Sequence, residues 1–155
     1  MTSAVELVEE LDRLRVKTGL WLLPQSSLGR EVDEARRLCL EPVDIRTRLL
    51  NSLPEGTRFS GINSERILQL VDVISMETGD WAGALIYHFD LLISRLGSDD
   101  RAYVWNQFRT GFPHRQRSVI VTMPAAASHL LPVETELTIW RRENRLAEPL
   151  SLESF

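Results

Sequence analysis

A three-layer α/β fold with a mainly parallel sheet is what this sequence predicts, on three observations. Short, predominantly apolar runs recur at 20–23, 84–89 and 118–123, bounded by Gly or Pro. Runs of that length without polar alternation are strands buried on both faces. Amphipathic helical patterns separate them, and strands alternating with helices build parallel βαβ units. The length, 155 residues at 43% hydrophobic and 26% charged, suits one domain whose core needs no disulfide or metal. Residues 1–147 are expected to form that domain around a sheet of about 4–5 strands. Residues 148–155 are expected to be a flexible C-terminal tail.

The elements follow in order. From Ser3 to Val16, Val5, Val8, Leu11 and Leu14 recur every three residues and Leu7 widens the stripe. That is an amphipathic helix, and Ser3 with Glu6 has the spacing of a capping box. Leu20–Leu23, between Gly19 and Pro24, is the first strand. Pro24–Gly29 is a loop, and Arg30–Leu40 is a helix with Val32, Ala35, Leu38 and Cys39 on its apolar side. Cys39 is therefore expected to be a buried small hydrophobe. Residues 43–53 begin as a short strand and turn into a helix, with Asp44 at the cap position. Residues 54–64 are turn-rich, and Ser64 caps a helix over 65–77 built on Ile67, Leu68, Leu70, Val71 and Ile74. Residues 84–89 form the second strand, which runs into Asp90. A polar helix covers 99–110, and 118–123 is the third strand. Ala125–Leu131 reads as a short helix, while 133–140 fits either period. The three strands 20–23, 84–89 and 118–123 are expected in the interior of the sheet.

Composition narrows the function. No stretch approaches the ~20 apolar residues of a membrane span. Glu6, Glu9 and Glu10 interrupt the apolar N-terminal residues, which argues against a signal peptide and for a cytoplasmic protein. The single Cys39 excludes an internal disulfide and a multi-cysteine zinc site, and His88, His114 and His129 are far apart in sequence. No metal site is expected. There is no G-x-S-x-G elbow, His88 reads as a packed strand residue, and no catalytic residue is assigned. Among 18 basic residues the one lysine is Lys17, so a mechanism that requires a lysine has only this one.

The first strand–loop–helix unit carries the most chemistry. P-loop proteins place G-x-x-x-x-G-K-[ST] in this context, where backbone N–H groups cradle phosphates, the lysine neutralises them and the hydroxyl holds Mg²⁺. Here the segment is Pro24-Gln25-Ser26-Ser27-Leu28-Gly29-Arg30-Glu31. The length fits, and Gly29 keeps its place. Pro24 replaces the first glycine and fixes φ, Arg30 replaces the lysine, and Glu31 puts a carboxylate where the hydroxyl belongs. Asp90, after the second strand, stands either as the acid that holds Mg²⁺ or as a helix cap. Thr122, after the third strand, stands where a γ-phosphate sensor would.

These segments resemble the small P-loop ATPase-like proteins of bacterial phage-defence systems, the BrxF-like subunits of BREX. The resemblance is carried by LLPQSSLGRE (22–31), VDIRTRLLNSL (43–53), IYHFDLL (86–92) and SVIVTMP (118–124), over about 100 residues. It implies a P-loop-NTPase-like fold and an accessory subunit of a phage-defence or DNA-processing complex. Larger protein subunits are then the expected partners, with DNA reached through the complex and a homo-oligomer an open option. The degenerate loop implies a non-catalytic role, with Ser26, Ser27, Gly29 and Arg30 as a vestigial nucleotide site and ATP at most a weak ligand. An active nucleotide-dependent ATPase using Arg30 and Asp90 is the competing expectation. A DNA-binding module is the third, disfavoured by the net charge of −4.

Residues 101–117, RAYVWNQFRTGFPHRQR, hold Arg101, Arg109, Arg115 and Arg117 and no acid, with Tyr103, Trp105, Phe108 and Phe112 interleaved. Arg and aromatic side chains are common anchors at interfaces. Arg101, Trp105, Arg109, Arg115 and Arg117 are therefore expected to mark a surface for a protein partner. Charge reversal at Arg109 and Arg117 is expected to leave stability nearly unchanged.

Overall fold

A computed structural model describes residues 2–52 and 62–149. Its elements are α1 (Ala4–Leu11), β1 (Thr18–Leu23), α2 (Glu31–Arg37), β2 (Leu40–Asp44), α3 (Ile45–Ser52) and α4 (Ser64–Met76), then β3 (Gly83–Tyr87), α5 (Phe89–Ile93), α6 (Ser98–Thr110), β4 (Ser118–Pro124), α7 (Glu134–Arg142) and β5 (Leu146–Ala147). The strands form one five-stranded sheet in the order β2-β3-β4-β1-β5, and every strand pair in it is parallel. The three predicted interior strands are β1, β3 and β4, and all three are interior.

Residue alternation explains the layers. In β1, Leu20 and Leu22 face one core while Trp21 faces the other. In β3 the same split puts Ala84 and Ile86 on one side and Leu85 on the other; in β4, Val119, Val121 and Met123 oppose Ile120. Right-handed crossovers decide which helices cover each face. From β1 the chain moves one way across the sheet to β2, then returns through β3 and β4 to β5. Consequently Leu7 and Leu11 of α1 and Ala35 of α2 cover one face. The other face takes α3 through α7, including Trp105, Phe108 and Trp140.

Glycine is required at one close approach in the sheet and favoured at another. A Cβ on Gly83 would lie 2.7 Å from the Ser118 carbonyl oxygen of the neighbouring strand, and one on Gly19 would lie 2.9 Å from Leu11 Cδ1. At these two points β4 and α1 pack directly on glycine backbone.

Several local expectations are corrected. Helix α2 ends at Arg37, and Cys39 is an exposed residue with φ of 60° in the turn into β2. The left-handed conformation reverses the chain within two residues, which takes Cys39 off the helix face. Residues 125–131 form successive turns closed by Ala127 N–H to Pro124, Leu130 N–H to Ala127 and Leu131 N–H to Ser128, rather than a helix. His88 lies beyond β3 with φ of 64°, so it is not a strand residue. Of residues 133–140, open in sequence, Val133 is the N-cap and the rest lie on α7. The end of the 43–53 helix, most of the 54–64 turn region and most of the 148–155 tail lie outside the described residues; Glu148 is described and pairs with Arg141.

Candidate functional site

In parallel sheets, ligands sit beyond the carboxyl ends of the strands where neighbouring connections diverge. Here that point lies between β1, whose connection leaves towards β2, and β4, whose connection leaves towards β5. A crevice of about 240 Å3 opens there, lined by Leu28, Gly29 and Glu31 from the first loop, His88 and Asp90 after β3, and Thr122 and Pro124 at the end of β4. The sequence motifs after three separate strands thus converge on one place.

The first loop is closed on itself. Gln25–Ser27 is a 3₁₀ turn. Ser27 N–H donates to Pro24 O at 3.0 Å, Leu28 N–H to Gln25 O at 3.3 Å and Arg30 N–H to Ser27 O at 3.1 Å. Gly29 N–H donates to Glu31 Oε1, also at 3.1 Å. A phosphate cradle requires such amides to converge, unpaired, on the anion. In this loop the amides of residues 27–30 are all consumed internally. The Glu31 carboxylate takes the bond that a phosphate oxygen would accept. Gly29, at φ of 87°, is needed for the turn itself. Glu31, Asp33 and Glu34 crowd the first turn of α2, which complements the helix dipole with protein carboxylates instead of ligand.

The other positions are likewise committed or acidic. Thr122 is buried and its hydroxyl donates to Ile86 O at 3.2 Å. Asp90 lies in the first turn of α5, whose N-cap is His88. Ser26 and Arg30 are exposed and Ser27 half-buried; Arg30 forms no ion pair among the described residues.

One feature of the site was not found from sequence. The parallel register sets Asp44 opposite Tyr87, and His88 Nδ1 then lies 3.0 Å from Asp44 Oδ1. That oxygen also accepts from Arg46 N–H and Thr47 N–H at the start of α3. Burial pushes the Asp44 carboxyl up, but His88 and the two amides outweigh it and hold the group below its usual range. Tyr87, whose ring is 4.7 Å from that of His88, has its phenol pushed up by burial, then by the nearby Asp44 and Glu31 charges. The available signal was that Asp44 and His88 stand at the carboxyl ends of their strands, Asp44 as the last residue of β2 and His88 just after β3. The crevice therefore offers carboxylates and an oriented imidazole.

The basic segment is placed differently from its expectation. Trp105 is a core residue, 1% exposed, whose indole N–H donates to Leu130 O at 2.9 Å. Arg117 is buried before β4: Nε donates to Ile74 O at 2.8 Å, and the other nitrogens reach Glu41 at 2.8 Å and Glu77 at 3.2 Å. Arg109 bonds Glu136 at 2.7 Å, Arg115 pairs with Asp72 at 3.0 Å, and Arg101 bonds Leu96 O at 2.6 Å. The absence of acids within 101–117 is made good from α4, α7 and β2. Stability is therefore expected to suffer when Arg109 and Arg117 are reversed, contrary to the sequence expectation. Tyr103, at the surface of α6, remains exposed.

No family model, curated protein or solved structure matches this chain. Among the described residues no helix is long and apolar enough to cross a membrane.

Proposed function

We propose that this chain is a non-hydrolysing, P-loop-like accessory subunit that works in the cytoplasm by contacting larger protein subunits. The observation that carries the proposal is the closed first loop. The amides of residues 27–30 are spent within the loop, and Glu31 occupies the bond a phosphate oxygen would take. Phosphoryl transfer relies on positioned positive charge and backbone donors; the crevice supplies Glu31, Asp90 and His88. The resemblance to BrxF-like subunits supports a phage-defence or DNA-processing assembly as the setting. Most arginines of the 101–117 segment are held in internal pairs, which weighs against a DNA-binding module, since that role needs cations free for phosphates.

The test is turnover of Mg²⁺-ATP by the purified chain. Phosphate release is expected to stay at the background rate. Turnover of about one per second, within the range of working phosphoryl-transfer enzymes, that vanishes in Arg30→Ala or Asp90→Ala would establish the ATPase alternative. Saturable ATP binding without turnover leaves the non-hydrolysing role in place.

A further inference from the structure

The pole of the sheet opposite the closed loop holds a second cavity, of about 400 Å3, between Arg15 and Val16, the end of α6, and the residues that lead into β5. Three guanidinium groups line it, from Arg15, Arg109 and Arg145, against the one carboxylate of Glu143. Arg145 is 3% exposed. Its Nε donates to Thr18 O at 2.9 Å, and Nη2 donates to Thr18 Oγ1 at 2.6 Å and Arg109 O at 2.9 Å. The guanidinium lies 4.7 Å over the Trp140 ring. These contacts fix the group and cap the carbonyl end of α6, so the negative end of that helix is already offset.

The nearest acceptor to Nη1 is Glu143. The Glu143 carboxylate lies 3.5 Å from it and 3.8 Å from Arg109 Nη1, both longer than a charged hydrogen bond. Arg109 Nε is already taken by Glu136. Arg15 is exposed and has no ion pair among the described residues. Three cations thus face two carboxylates, and one of those carboxylates stands off from both groups it serves. Desolvation pushes the Arg145 guanidinium down despite Glu143; a buried cation in this state gains from an anion in direct contact.

We propose that this cavity binds a compact phosphate-type oxyanion, and that Glu143 is a stand-in which the anion displaces. An oxyanion seated between Arg15, Arg109 and Arg145 would make the short charge-assisted bonds that Glu143 does not. The apolar side chains of Leu14, Val16 and Pro113 flank the space, which suits a phosphomonoester or pyrophosphate better than the evenly charged track of a nucleic-acid backbone. This site is independent of the first loop, at the other end of the strands.

The test titrates inorganic phosphate and pyrophosphate into the full chain at constant ionic strength, with chloride as the balancing ion, by calorimetry. Binding should be saturable, weakened by at least about fivefold in Arg15→Gln and tightened by at least about threefold in Glu143→Gln. The opposite response of the two variants is the signature, because a merely structural Glu143 would not tighten binding when neutralised. Arg145→Gln is avoided because its bonds to Thr18 and Arg109 hold the fold. No saturation above the chloride control, or equal affinity in wild type and Glu143→Gln, overturns the proposal. So does a single-stranded oligonucleotide that binds more tightly than pyrophosphate and depends on Arg15, since the surface would then be an extended nucleic-acid contact.

Discussion

Replacing Arg117 with alanine is expected to cost far more than a surface arginine should. The side chain is 8% exposed and ties three elements together: Ile74 O near the end of α4, Glu77 just beyond it and Glu41 in β2. Loss of Nε removes a hydrogen bond from a charged donor, worth about 1.5–3 kcal/mol, although the Ile74 carbonyl keeps the Glu77 N–H at 3.3 Å. Glu41 and Glu77 are about one-third exposed, so water screens them, and Glu77 keeps its two-pronged contact with Arg48 at 2.8 Å. Each of those pairs is therefore counted at about 0.5 kcal/mol. The sum is about 2.5–4 kcal/mol, below or near the 3–5 kcal/mol typical of a broken buried pair. For a chain of this length, each kcal/mol moves Tm by about 2–4 °C, so Arg117→Ala should lose at least about 5 °C. Urea melts and thermal scans followed by circular dichroism measure this, with Arg115→Ala as control because its side chain is 27% exposed against 7% for Arg117. A loss under about 2 °C, or one equal to the control, would refute the assignment of Arg117 to the core.

Trp105→Ala should cost about 3–5 kcal/mol, the usual range for a fully buried aromatic, with Trp105→Phe milder; equal denaturant midpoints for the two would contradict the role given to the indole. Gly83→Ala should cost about 1–3 kcal/mol through its clash with the Ser118 carbonyl, whereas Gly97→Ala, which meets open space, should differ little from wild type in the same melts. Asp44 has a carboxyl held below its unfolded-state value. Its contribution is therefore complete above the unfolded pKa and is lost as pH falls through the folded one. Asp44→Asn should flatten the loss of stability on the acid side of pH 4, read from urea midpoints between about pH 2 and 6; unchanged slopes would remove the Asp44–His88 contact from the account.

The interior strands were legible because burial on both faces leaves an uninterrupted apolar run, as in Leu20–Leu23 and Val119–Val121. The edges were not. Strand β2 carries Glu41 and Pro42, and β5 has only Leu146 and Ala147, too short for any period to register. The left-handed turn at Cys39 was hidden because cysteine does not announce that conformation, and the one at His88, a residue type enriched there, was masked by the apolar run around it. At the site, strand ends and loop length foretold which segments converge. The Asp44–His88 contact depends on cross-strand register, which one strand's sequence does not encode, and the bonding of the loop depends on turn conformations that its residue types leave open. Charge misled in the 101–117 segment for the same reason: the acids that neutralise its arginines arrive from other elements.

The position of β2 and β5 at the rims limits how the molecule joins others. A rim strand ordinarily presents a row of free amides and carbonyls on which another chain can add a strand. At one rim Pro42 interrupts that row, since it has no N–H to offer, and Glu41 and Asp44 add charge beside it. At the other rim β5 spans two residues and already takes a bridge from Thr2 at Ala147. Neither rim is a template for continuing the sheet into a neighbour. Assembly, whether with a different subunit or with a second copy, is therefore left to side chains on the helices and at the two poles, where specificity is set by shape and charge rather than by backbone pairing.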